Sequence, residues 1–220
     1  MDVKDGRSDL NKGVRIYCAN KPDLTSYTID DVGHFAANAL KALFATSKPF
    51  IKFLKLTSRA AAQIRQTNLA WLLPPKIRSK GRFQGITEVA EWARKILDLI
   101  GRRNKAENDS DLTTARKTFA SFAELRPFLN RFYQTCSITE LFLELMKTRG
   151  LNEATYIEAK DAVAKLPKRS IVRIRLSAWL EKHIHIHRAL AIGQLPLLVS
   201  TDAIESLFGK FKTVIQRNPQ

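Results

Sequence analysis

Sulfur is nearly absent: the 220-residue chain has two cysteines, Cys18 and Cys136, and two methionines. The cysteines sit far apart and outside any Cys/His cluster, which argues against both a disulfide scaffold and a cysteine-zinc site and leaves two ordinary reduced thiols. Long hydrophobic runs are also missing. Nothing approaches the roughly 20 apolar residues that span a bilayer, and the opening MDVKDGRSDL has no apolar signal-peptide core. The expectation is a soluble cytoplasmic protein with no membrane segment. Acidic residues are scarce, 21 against 37 lysines and arginines. No internal repeat is present.

What remains is a basic chain with ample core material. Hydrophobic residues make up 45% of it, enough for one large domain or two small ones. A net charge of +16 favours a polyanionic partner through phosphate contacts and counterion release. DNA, RNA and an anionic membrane surface share that chemistry.

The first forty residues read as α/β: a helix-like DLNKGVRIYCANK, a β-rich TSYTID, then the helical pattern VGHFAANALKALF. Residues 41–190 read as a helical unit. Within it, SRAAAQIRQTNLAWLL has Ser58 as a cap and must stop before Pro74 and Pro75. ITEVAEWARKILDLIG has Thr87 as cap, one apolar face (Val89, Ala93, Ile96, Leu97, Ile100) and Gly101 as stop. GRRNKAENDSD is a polar loop. In SITELFLELMKTRG, Ser137 and Glu140 fit a capping box, Ile138, Leu141, Phe142, Leu145 and Met146 form a stripe, and Gly150 ends the helix. A further helix runs from Ser170 through RLSAWLEKHIHIHRAL, and LPLLVS is an extended link to a last helix.

That last helix, in STDAIESLFGKFK, has a core stripe of Ile204, Leu207, Phe208, Phe211 and Ile215. Beside it, Glu205, Gly209, Lys212 and Gln216 share a face. A phosphate backbone can approach closely at Gly209 and be held by Lys212, with Glu205 as a metal ligand. The simpler alternative is that Asp202 caps the helix and Glu205 reciprocates.

Near the other end, VKDGRSDL places Asp5 and Asp9 in a turn-like setting, and DDVGH sets Asp31 three residues before His34. Taken in order with IESLFGKFK, these segments resemble prokaryotic insertion-sequence DDE transposases, RNase-H-like enzymes with a C/D-x-x-H element and a helical insertion. QTNLAWLLPPKIRSKGRF is similar to a stretch of such insertions. The resemblance implies a mostly α chain with a partial RNase-H-like α/β core in 1–40, a helical insertion in 41–190 and a returning core helix in 191–220. It implies catalytic, metal-binding roles for Asp5 and Glu205, a supporting role for Asp31 and His34, and two Mg²⁺ (or Mn²⁺) ions in the intact enzyme. The reaction would be DNA strand cleavage and transfer, with transposon ends and target DNA as partners and a homo-oligomer as the possible assembly. Carboxylates suit such hard ions, and two-metal phosphoryl transfer needs several converging on ions roughly 3.5–4 Å apart.

One departure stands out. The family has a first aspartate well before the second, and only MDVK precedes Asp5, with Asp2 too near to serve. The expectation is a piece or decayed copy of a transposase, truncated at both ends and inactive alone.

Basic residues supply candidate DNA contacts: Lys76, Arg78, Lys80 and Arg82 alternate after two prolines, and Lys210 and Lys212 follow Glu205. KLPKRSIVRIR is a second basic run. HIHIH, residues 183–187, offers zinc spacing at His183 and His187. It has no evident third ligand and basic flanks, so a solvated or DNA-facing stretch is expected. The rival to the transposase is a non-catalytic helical nucleic-acid-binding protein whose acids are caps and surface charge.

Overall fold

The computed structural model describes residues 2–4, 13, 16, 17, 27–77, 83–101 and 110–201. Its elements are two short strands, β1 (Asp2–Lys4) and β2 (Thr28–Asp30), and seven helices among the described residues. The helices are α1 (Val32–Phe44), α2 (Lys48–Ile64), α3 (Ile86–Gly101), α4 (Ser110–Phe119), α5 (Arg126–Arg149), α6 (Glu153–Ala164) and α7 (Ile171–Ala189). Single 3₁₀ segments lie at Ala70–Leu72 and Ala120–Leu125. The chain is therefore mostly α, as expected.

It divides into two compact units. One comprises 1–36, 141–163 and 176–220; the other comprises 37–140 and 164–175. These do not coincide with the sequence boundaries at 40 and 190, because residues 141–163 and 176–190 group with the chain's two ends.

In the first unit β1 and β2 pair in parallel, with Asp2 opposite Thr28, Val3 opposite Ile29 and Lys4 opposite Asp30. A parallel pair needs a crossover connection, and Gly13, Ile16 and Tyr17 within that connection have helical backbone. A second extended piece is the link at 197–199: Leu197 makes an antiparallel bridge to Leu151, through N–H···O bonds of 2.8 and 2.9 Å in the two directions. Leu197 and Val199 are buried while Pro196 and Leu198 are exposed, the alternation of a half-buried strand. Gly150 makes the close approach possible. It has φ +66°, and a Cβ there would stand 2.8 Å from Pro196 Cβ and 3.0 Å from the Leu197 carbonyl oxygen, so any L side chain is excluded on two counts.

The second unit has an aromatic core. Phe44 meets Phe132 edge to face at 5.0 Å, Phe128 stacks on Phe132 at 5.8 Å, and Phe53 meets Phe122 edge to face at 6.0 Å. Trp92 joins them through Phe119 and Phe122, and its indole N–H donates to the Leu72 carbonyl at 2.9 Å. Rings in these arrangements gain about 0.5–1.5 kcal/mol per pair beyond the area they bury.

Two helix starts differ from expectation. α2 begins not at Ser58 but ten residues earlier, where Ser47 is the N-cap, its hydroxyl accepting from Phe50 N at 3.4 Å, and Pro49 lies in the first turn. Ser58 is an exposed mid-helix residue, and the helix ends at Ile64, short of the 3₁₀ segment. Likewise Ser137 caps nothing: α5 already runs from Arg126, Leu141 is 42% exposed, and Thr135, Cys136 and Thr139 take buried places on the helix. Burial pushes the Cys136 thiol far up, so it stays protonated. By contrast α3 spans the expected residues with Val89, Ala93, Ile96 and Leu97 buried, although Thr87 lies inside the helix and donates to Glu140 at 3.0 Å. Residues 102–109 of the expected polar loop, and residues 202–220 with the expected last helix, lie outside the described residues.

Candidate functional site

The D-x-x-H element is a helix cap with a second job. Asp31 follows β2 directly and precedes α1, the N-cap position, where a short carboxylate side chain is preferred because it satisfies helix N–H groups that have no intrahelical partner. Its Oδ1 accepts from His34 N at 2.7 Å and lies 3.1 Å from His34 Nδ1. The other oxygen, Oδ2, accepts from Thr201 N at 2.8 Å and Thr201 Oγ1 at 2.9 Å. Burial works against the charge on Asp31, but these hydrogen bonds outweigh it and hold the carboxyl below its usual range. The carboxylate is thus ionised, 3% exposed and fully engaged.

The backbone continues the same connection, since Val32 N donates to the Val199 carbonyl at 2.9 Å. Residues 197, 199 and 201 are therefore each tied down: to Leu151, to Val32 and to Asp31 in turn. Gly33 adds space at this junction. A Cβ there would lie 3.3 Å from Asp31 Oδ1 and 3.7 Å from Lys147 Nζ, which puts a lysine of α5 beside the cap.

Asp30, the last residue of β2, is held from α7. Its N–H donates to His183 Nε2 at 3.0 Å, its carbonyl accepts from Trp179 Nε1 at 3.2 Å, and its Oδ2 pairs with Lys182 Nζ at 2.6 Å. His183 stacks on Trp179 with centroids 4.1 Å apart and places Nδ1 2.7 Å from the Trp179 carbonyl. With Nε2 accepting and Nδ1 donating, His183 is the neutral Nδ1–H tautomer. Burial, with Lys182 adding to it, lowers its pKa.

The HIHIH expectation is therefore corrected. His183 and His187 are 0% and 3% exposed, and His187 Nε2 bonds the Leu195 carbonyl at 2.9 Å. They are core histidines on the buried face of α7 that contains Leu176, Trp179 and Leu180, and only His185 is exposed. No group of three His, Cys, Asp or Glu able to hold a metal occurs among the described residues.

Of the sequence candidates, Asp31 and His34 come together at the start of α1. Lys76 is exposed in the second unit. Asp5, Glu205, Arg78, Lys80, Arg82, Lys210 and Lys212 lie outside the described residues. Thr201, His183, Trp179 and Lys147 were missed. Nothing local marks Thr201 as a partner for a residue 170 positions away, but the spacing of Leu176, Trp179, Leu180, His183 and His187 does mark a buried helical face.

Comparison with protein-family models, curated proteins and solved structures finds no match to this chain. No described helix is long and apolar enough to cross a membrane.

Proposed function

We propose that this chain carries the second-aspartate and glutamate segments of a DDE transposase with an RNase-H-like core, acting on DNA by metal-dependent phosphoryl transfer. One observation supports this reading above the others: both segments are tied to the same dipeptide. Lys4, the residue before Asp5, is the register partner of Asp30, and Thr201, four residues before Glu205, is bonded to Asp31. Covalent geometry then limits how far the two residues can diverge, since one residue spans about 3.8 Å and four span at most about 14 Å. Asp31 has no lone pair left for an ion, so its role is positioning, with His34 fixing its rotamer.

Asp5 and Glu205 would be the ligands of Mg²⁺ or Mn²⁺, and as hard oxygen donors they suit such ions. When bound, these ions would activate the attacking oxygen and stabilise the leaving one. Titration of the purified chain with Mn²⁺, read by electron paramagnetic resonance, tests the assignment. Binding should be lost in Asp5→Asn and in Glu205→Gln alike, because both serve the same ions. Binding that survives both substitutions, or none in the unsubstituted chain, sinks the reading.

The second reading is a non-catalytic helical nucleic-acid-binding protein, favoured by the +16 charge and the helical majority. It needs DNA affinity but is indifferent to both substitutions.

A further inference from the structure

Charge is distributed unevenly along the chain. Between Asp31 and Glu88 there is no acidic residue and there are ten lysines and arginines. The structure gives that stretch a shape. Leu54, Ser58 and Ala61 of α2 and its C-cap Arg65 recur at helical spacing and face the extended run Leu73–Ile77 across a groove of about 520 Å³. Leu54, Ala61, Leu73, Pro74 and Pro75 give it apolar walls, and Ser58, Arg65 and Lys76 supply its polar groups. Lys55 and Arg59 stand exposed on the adjoining helix surface.

No carboxylate lines the groove, and among the described residues Lys55, Arg59, Arg65 and Lys76 form no ion pair. Lys52, in contrast, is taken up by Glu124 at 2.6 Å. A second cavity of the same unit, about 550 Å³ beside Trp71 and Trp92, is lined by Glu88 and Glu91 as well as Lys95 and does not suit an anion. Unopposed cations around a groove with a hydroxyl donor are the chemistry of phosphate-backbone contact. From Lys55 to Arg65 the helix rises about 15 Å, enough to follow a few successive phosphates of a duplex.

We propose that the groove between α2 and residues 73–77 binds the sugar–phosphate backbone of DNA, with Lys55, Arg59, Arg65 and Lys76 as phosphate ligands and Ser58 as a hydrogen-bond donor. This rests on the DNA-directed reading above and names a surface for it. The contacts are sequence-independent and expel counterions, so affinity falls with salt by a slope of about 0.9 per phosphate neutralised.

The test is fluorescence anisotropy of the full chain on a labelled random-sequence duplex across a salt series. The triple variant Lys55→Gln, Arg59→Gln, Arg65→Gln should bind at least about tenfold more weakly, with a slope shallower by about 2.7. An equal loss of charge at Lys165→Gln, Lys168→Gln, Arg169→Gln should have less than half that effect. Ser58→Glu, which removes no cation and is exposed on a helix, should weaken binding as well. Circular dichroism melts confirm folding. Equal effects from the two triples, or none from the first, overturn the groove while leaving DNA binding intact. A flat salt dependence in the unsubstituted chain removes the groove and the DNA-directed reading together, whereas the Mn²⁺ result bears on the metal ligands alone.

Discussion

The two compact units are held together by different physics. Residues 37–140 and 164–175 are organised around a phenylalanine-rich cluster, where attraction is spread over many ring contacts and no single geometry is required. The unit formed by 1–36, 141–163 and 176–220 depends at its candidate site on directed bonds to buried polar groups: Asp31, His183 and Trp179 each hold a particular backbone atom. An apolar core tolerates reshaping, and a buried polar network does not. Directed bonding belongs where a few residues must be held in register, which is the requirement of a site and not of a scaffold.

Substitutions can break this comparison. The largest effect is expected from Phe132→Ala, which leaves a cavity among several rings and should cost about 3–5 kcal/mol by denaturant unfolding. Phe132→Leu should recover most of that. Next comes Asp31→Ala, expected at about 2–4 kcal/mol from lost capping and orphaned donors. Here the near-isosteric Asp31→Asn should recover little, because an amide N–H₂ cannot accept from Thr201 where the carboxylate oxygen did. Hydrogen exchange at the Val32 and Thr201 amides should rise in both Asp31 variants and remain unchanged in Phe132→Leu. If Asp31→Asn proves as mild as Phe132→Leu, the contrast between the units is lost.

Acid sharpens the comparison further. His183 is neutral when folded and its pKa is lowered, so as pH falls below the ordinary 6.5 the unfolded chain gains a proton that the folded chain refuses. Stability is full above that value and declines until the folded pKa is reached. Asp31 acts lower: its contribution is complete above 3.8 and is lost as pH falls through the depressed folded value. Stability should therefore decline in two stages, and His183→Gln should remove the first stage even though it weakens the fold at neutral pH. The smallest effect is expected at the exposed pair Lys52–Glu124: Glu124→Gln should leave the denaturation midpoint unchanged within error, because water screens both charges.

Much of the helical layout was legible in the sequence where a face was strongly periodic, as in α3 and α7, and where a terminator had a physical necessity, as at Gly150. It failed at Ser58 and Ser137 for one reason. A capping residue starts a helix only if the residues before it are not already helical, and Lys48–Thr57 and Arg126–Cys136 are. The better cap at Ser47 carried its own mark in Pro49, which suits a first turn. At the candidate site, the resemblance singled out Asp31 and His34, and three residues is also the reach of an N-cap, which is the contact the two make. The Thr201 tie was invisible, since it depends on tertiary approach alone, and HIHIH misled because basic neighbours suggested solvent while the apolar positions around it decided burial.

The tie between Asp31 and Thr201 also has a consequence in time. The two residues are separated by 170 positions, and a ribosome adding roughly 5–20 residues per second takes about 8–35 s to cover that distance. By the later part of that interval the nascent chain has β2, α1 and the whole 37–140 segment, while Asp31 still has only His34 for a partner. The cap at the start of α1 is therefore completed only once Thr201 has been made.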